Sequence, residues 1–131
     1  MYRKDFLDRE FEKLGILLAT ILGLKKSGKS FTEVEEATKT GLKNILGDDF
    51  DLGNTENDTN VFKLTPEKQQ ALADTLFELG LLAHQQNNIH ATKQFLTQYL
   101  RIIALAEENS HTFSFQNLSN KALSEKILSE I

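Results

Sequence analysis

Cysteine is missing from the 131 residues, so neither a disulfide framework nor a thiolate metal site can be built. Proline occurs once, so little in the chain interrupts a long helix. No stretch alternates apolar and polar residues for long enough to argue for a sheet. Charge is scarce in the net: −4 overall, too mild to imply general attraction to nucleic acid or to an anionic membrane. Long hydrophobic runs are lacking too. The longest uncharged run that is mainly apolar, Leu14 to Leu24, falls short of the roughly 20 residues that a bilayer demands. Its length suits a signal-peptide core, but the residues before it mix both charges and already carry a helical stripe. The expected location is therefore the cytoplasm.

What is present is a helical period, carried by leucines and nine phenylalanines. The length fits a single domain, 1–131, with one core. Leu7, Phe11, Leu14, Leu18 and Ile21 fall three and four apart and predict a helix from about Lys4 to Lys26. Ile16, Leu17 and Leu22 widen the stripe, which predicts burial on more than one side. Ser27-Gly28-Lys29-Ser30 ends it, and Ser30-Phe31-Thr32-Glu33 has capping-box spacing. A second helix to about Leu46 would turn Phe31, Val34, Thr38, Leu42 and Ile45 inward, with Gly47 as its stop. These two helices make a first hairpin, 1–46.

Residues 47–64 are rich in Asp, Asn, Gly and Thr and read as a long acidic connection, pinned by Phe50, Leu52, Val61 and Phe62. A second hairpin, 65–108, follows. Thr65-Pro66-Glu67 opens it with a cap, a first-turn proline and a dipole-complementing acid. Leu72, Leu76, Leu79 and Ala83 share one face. Asn87 and Asn88 form the turn, and Phe95, Leu96, Tyr99, Ile102, Ile103 and Ala106 line the returning helix. A terminal helix, 114–131, carries Phe115, Leu118, Ala122, Leu123, Ile127 and Ile131.

Three motifs invite chemistry. Gly23-Leu24-Lys25-Lys26-Ser27-Gly28-Lys29-Ser30 matches the phosphate-binding loop G-x-x-x-x-G-K-[ST], with Lys29 on the phosphates and Ser30 on magnesium. That loop must follow a buried strand, and the residues before it keep a helical period. An interhelical turn is the expected reading, with a nucleotide-binding protein as the alternative. Phe31 to Leu42 faintly imitates a DNA-binding helix-turn-helix, yet Glu36 occupies an apolar position and no basic recognition helix follows. This second alternative is the weaker of the two. The acidic connection fails the calcium-loop pattern in every register, with Phe50 and Leu52 at ligand positions. His84, His90 and His111 lack metal-set spacing, and no Ser/His/Asp or paired-carboxylate constellation stands out. No catalytic, cofactor-binding or metal residue is therefore expected.

Phe11-x-x-Leu14-Gly15-x-x-Leu18 and Leu76-x-x-Leu79-Gly80-x-x-Ala83 are two copies of one pattern. It resembles the first helix of a tetratricopeptide repeat, in which the glycine lets the second helix come close. Ala91-x-x-x-Phe95 is similar to that repeat's second helix. Ala91 comes one residue early, Tyr99 replaces a small residue, and the closing proline is missing. The two glycines, Gly15 and Gly80, are not separated by a whole number of repeats of about 34 residues. More specifically, Tyr2-Arg3-Lys4-Asp5-Phe6, the segment Ile21 to Lys29, and Ile45-Leu46-Gly47 resemble an uncharacterised bacterial family with tetratricopeptide-like helices, as far as about Leu105. That family implies no assigned activity.

The expected fold is thus all-α: two antiparallel helical hairpins and a C-terminal helix in a tetratricopeptide-like, right-handed stack. The expected role is a small interaction or scaffold module without catalytic activity. It would bind a protein or peptide partner or self-associate as a homodimer, with neither nucleic acid nor membrane as partner. The resemblance implies a groove lined by Arg9, Glu12, Ile16 and Thr20 from the first copy, and by Asp74, Phe77, Leu81, His84 and Gln85 from the second. Phe77, Leu81 and Ile16 lie off the main stripes, so a partner peptide, another subunit or the fifth helix should cover them.

Overall fold

The structure, a computed structural model, describes residues 2–52, 61, 63–111 and 114–131, with side chains described from Phe11 onward. Among these residues five helices form and no strand does: α1 (Tyr2–Lys26), α2 (Phe31–Leu46), α3 (Pro66–Gln85), α4 (Ile89–Ser110) and α5 (Phe115–Glu130). Leu7, Arg9, Phe62 and the middle of the acidic connection lie outside the described residues and side chains.

The helix ends follow from local chemistry. Ser30 caps α2 by accepting from the Glu33 amide at 3.3 Å, and Thr65 caps α3 by accepting from Lys68 at 3.3 Å, with Pro66 in the first turn. Asn87 takes the left-handed conformation (φ 60°) and Asn88 caps α4 through the Ala91 amide, at 3.1 Å. Two consecutive asparagines thus end one helix and begin the next. Gly47, at φ 109°, closes α2 with its amide on the Lys43 carbonyl.

Helix α3 is the hub, because α1, α2 and α4 all pack on it. Its Leu72–Leu76–Leu79–Ala83 stripe is fully buried, and so, on its other sides, are Ala73, Thr75, Gly80 and Leu82. Each fully buried leucine contributes about 1.5–3 kcal/mol of transfer free energy. Helix α4 buries all six residues expected of its apolar side, from Phe95 to Ala106. From α2, Phe31 meets Phe95 at 5.9 Å between ring centroids. The acidic connection is pinned as its sequence suggests at Phe50, Leu52 and Val61, all buried.

Polar contacts tie the hairpins together. The Gln86 side chain accepts from the Phe31 amide at 2.7 Å and donates to the Lys29 carbonyl at 3.3 Å, so the α1–α2 and α3–α4 turns lie side by side. Lys25 pairs with Glu78 at 3.0 Å between α1 and α3.

Two expectations need correcting. Helix α1 is not buried on more than one side: Leu14 and Ile21 are buried, but Ile16 is 67% exposed and Phe11 46%. Ile16 lies in solvent, whereas Phe11 is half-buried at the edge of the hub, lining a cavity with Pro66, Glu67 and Gln70 of α3. In α5, Phe115, Leu118, Ala122 and Leu123 point outward, whereas Asn117, Ser124 and Ile127 are buried. A polar underside lets α5 meet the amides and carboxylates on the outer surfaces of α3 and α4.

Candidate functional site

Along α3, Gln70, Asp74, Phe77, Leu81 and His84 succeed one another at steps of three and four, forming one face. Four of them, with Gln85, are the positions that the repeat resemblance assigns to a groove. Helix α5, packed chiefly on α4, meets this face at its two ends differently.

At the N-terminal end the contact is closed. Gln70 and Asn117 exchange two hydrogen bonds, Gln70 Nε2 to Asn117 Oδ1 at 3.0 Å and Asn117 Nδ2 to Gln70 Oε1 at 2.9 Å. Gln70 Nε2 also donates to Asp74 Oδ1 at 2.9 Å. Lys121 reaches from α5 to Glu107 on α4 at 2.6 Å. Burial pushes the Asp74 carboxyl above its usual range; the Gln70 hydrogen bond opposes this, and the Glu78 carboxylate adds to it.

The middle of the face is core. Phe77 is only 5% exposed and packs on Tyr99 with ring centroids 5.0 Å apart, so it is not an open groove residue. The Tyr99 hydroxyl is buried without a hydrogen bond; the Asn120 side chain influences it but does not complete one. Burial, then the charges of Asp74 and Glu107, hold its phenol far above the ordinary tyrosine range, so it neither ionises nor serves as a proton donor near neutrality.

At the C-terminal end α5 stands off. A cleft of about 360 Å³ opens between Leu81, His84 and Gln85 on α3 and Leu123, Lys126, Ile127 and Glu130 on α5. Its floor is aliphatic and its rim carries both signs of charge. Of the other groove positions, Glu12, Ile16 and Thr20 lie on the exposed side of α1, with the Thr20 hydroxyl donating to the Ile16 carbonyl at 2.9 Å. None of these lines the cleft, and the Arg9 side chain lies outside the described set. The structure thus brings together Leu81, His84 and Gln85, leaves the α1 positions elsewhere on the surface, and moves Phe77 into the core.

The segment matching a phosphate loop has a different architecture. Gly23, Leu24, Lys25 and Lys26 are the last residues of α1, and the turn is made by Gly28 at φ 78°. Ser30 uses its hydroxyl as a helix cap, Lys25 engages Glu78, and the residues before Gly23 are helical. A nucleotide cradle requires a strand there. The helix-turn-helix pattern fails on geometry also, since α2 runs unbroken from Phe31 to Leu46. Within it, Gly41 accommodates Leu17, whose Cδ1 would lie 2.5 Å from an added Cβ. His84, His90 and His111 are all exposed, and no group of three or more His, Asp or Glu converges among the described residues.

The residues that sequence reading missed are Gln70, Asn117 and Gln86. Their partners lie 47 and 55 positions away, and helical periodicity carries no signal for such polar pairing. No helix among the described residues is long and apolar enough to cross a membrane. Comparison with family models, curated proteins and solved structures returns no match.

Proposed function

We propose that this chain is a small cytoplasmic interaction module without catalytic activity, which binds a short segment of a partner protein in the cleft between α3 and α5. The observation that carries this reading is the half-closed contact of α5. A reciprocal amide pair fixes one end, while the other leaves Leu81, Leu123 and Ile127 around an open aliphatic floor. An apolar floor with a few rim polar groups suits one aliphatic anchor side chain, with His84, Gln85, Lys126 and Glu130 placed to meet its flanking backbone. Both charge signs on the rim favour a partner segment of low net charge over a strongly acidic or basic one.

A displayed library of short peptides, each with a single aliphatic anchor, tests this. Selected peptides should bind the unmodified chain and lose at least about tenfold in affinity against Leu81→Glu, as expected for loss of an anchor pocket. They should keep their affinity for Ile16→Glu, which alters exposed surface away from the cleft. Circular dichroism checks that both variants fold. Peptides indifferent to Leu81→Glu, or no selectable binder at all, would refute the reading.

A further inference from the structure

The helices α1–α2 and α3–α4 come as hairpins, and among the described elements α5 has no such partner. Its outward side holds Phe115, 82% exposed, Leu118, 48%, and Leu123, 42%, which is half of the large exposed hydrophobics among the described residues. Ser119, Ala122 and Lys126 are exposed beside them. The order of these residues is symmetric. Counting outward from the midpoint between Asn120 and Lys121, Ser119 answers Ala122, Leu118 answers Leu123, Gln116 answers Glu125, and Phe115 answers Lys126.

A sequence of this kind complements itself when two identical helices meet antiparallel across a two-fold axis, because each residue on one copy then faces the residue that answers it in this order on the other. The small pair, Ser119 and Ala122, falls at the axis, where the helix backbones must come closest. The leucines fall on either side of it, Leu118 of one copy against Leu123 of the next. At each end Lys126 of one copy would meet Phe115 of the other, its stem against the ring edge and its ammonium over the face in a cation–π arrangement. No like charges oppose each other in this register. A shift by one residue would bring Leu118 against Ala122 and lose the leucine contact.

We infer that α5 is a self-association surface on which a second copy of this chain docks its own α5 antiparallel, supplying the hairpin partner that the fifth helix lacks. The 16 residues of α5 span about 24 Å. A single helix pair of that length falls below the roughly 1,200 Å² of total burial seen in stable complexes, so the dimer is of the weak, concentration-dependent class. The inference concerns a different face from the peptide cleft and stands independently of it, sharing only Leu123 and Lys126 at the margin.

Sedimentation of the full chain from about 10 µM to about 1 mM, spanning the range of transient association, should show monomer converting to dimer. The variant Leu118→Glu/Ala122→Glu, which touches no cleft residue, should remain folded and weaken the dimer at least about tenfold. Because the chain lacks cysteine, orientation can be read directly. Leu118→Cys mixed with Leu123→Cys should oxidise mainly to the mixed disulfide, whereas parallel pairing would favour disulfides between identical variants. A chain that stays monomeric throughout, a dimer unaffected by the double glutamate variant, or a preference for identical pairs would each overturn the inference. If the dimer is absent but cleft peptides still lose affinity against Leu81→Glu, the proposed function stands and only self-association fails.

Discussion

The same short pattern occurs at two places, and its meaning differs between them. In the second hairpin, Leu76, Leu79, Gly80 and Ala83 are all buried, and Gly80 is where α4 approaches α3. A methyl group there would overlap Leu96 Cδ2 and lie 2.7 Å from Leu96 Cγ. In the first hairpin, Leu14 is buried, but Phe11 and Gly15 are exposed, and nothing lies within 4 Å of a Cβ added at Gly15. The close approach of α1 and α2 is made instead by Gly41 on the opposite helix, against Leu17. A motif records which helix face repeats; only its neighbours decide whether that face is packed. Helix α3 has neighbours on several sides, whereas at Gly15 α1 faces open space.

Matched truncations should widen this contrast most. Leu76→Ala removes a fully buried side chain from the hub and should cost about 2–5 kcal/mol, the usual range for a leucine cavity. Phe11→Ala, at the corresponding position of the first copy, should cost only about 1–1.5 kcal/mol, because nearly half of the ring is already in water. Urea unfolding followed by circular dichroism measures both. Equal losses would mean that the two copies are packed alike.

The glycines give the next largest effect, with opposite signs. At Gly80 the added methyl must displace Leu96 at its branch point and also meets the Leu96 backbone nitrogen at 3.4 Å. Overpacking of about 1–3 kcal/mol should offset or outweigh the helix-propensity gain of about 1 kcal/mol, leaving Gly80→Ala destabilised by up to about 2 kcal/mol. At Gly15 only the propensity gain applies, so Gly15→Ala should be stabilised by about 0.5–1 kcal/mol. Gly41→Ala should fall between them, near zero. Its nearest obstacle is the end of a flexible leucine, whose displacement costs about 0.5–1.5 kcal/mol. Midpoints that fail to order as Gly15→Ala, Gly41→Ala, Gly80→Ala, from most to least stable, would break the argument.

These differences also mark how much was legible beforehand. Helix positions and ends were, because periodicity, Ser30, Thr65 and the Asn87–Asn88 turn act within a few residues of themselves. The orientation of α5 was not. Apolar residues are spread around that helix, and what holds Asn117 and Lys121 is polar groups on distant parts of α3 and α4, while the buried Ser124 hydroxyl bonds back to the Asn120 carbonyl of its own helix. The candidate groove was half legible. The repeat resemblance assigned Asp74, Phe77, Leu81, His84 and Gln85 to a groove but could not distinguish a residue that packs on Tyr99 from one that lines an open cleft.

A smaller effect lies where α5 meets the second hairpin. Tyr99→Phe deletes a buried hydroxyl that has no hydrogen bond, while keeping the ring against Phe77. Removing an unsatisfied group should leave stability unchanged or raise it by up to about 1 kcal/mol. A loss above that size would show that the hydroxyl is bonded after all, through Asn120 or water.

The smallest effect concerns Asp74, and its sign is fixed by linkage. Burial raises its folded-state carboxyl above the ordinary aspartate range, so the unfolded chain releases this proton first as pH rises. Its contribution is therefore most favourable below about pH 4, declines as pH climbs through the raised folded-state value, and is level above that. Asp74→Asn keeps an oxygen to accept from Gln70 Nε2 but cannot ionise. Relative to the unmodified chain, it should gain stability progressively on going from pH 3.5 to pH 7, a modest change because the carboxylate is only partly buried. Thermal midpoints measured across that interval should diverge upward for the variant. Parallel curves would mean that the charge is as well solvated in the fold as outside it, and that the α3–α5 contact near Gln70 and Asn117 is open to water. In that event the closed end of the cleft would resemble its open end, and the asymmetry of α5 from which the interaction site is argued would disappear.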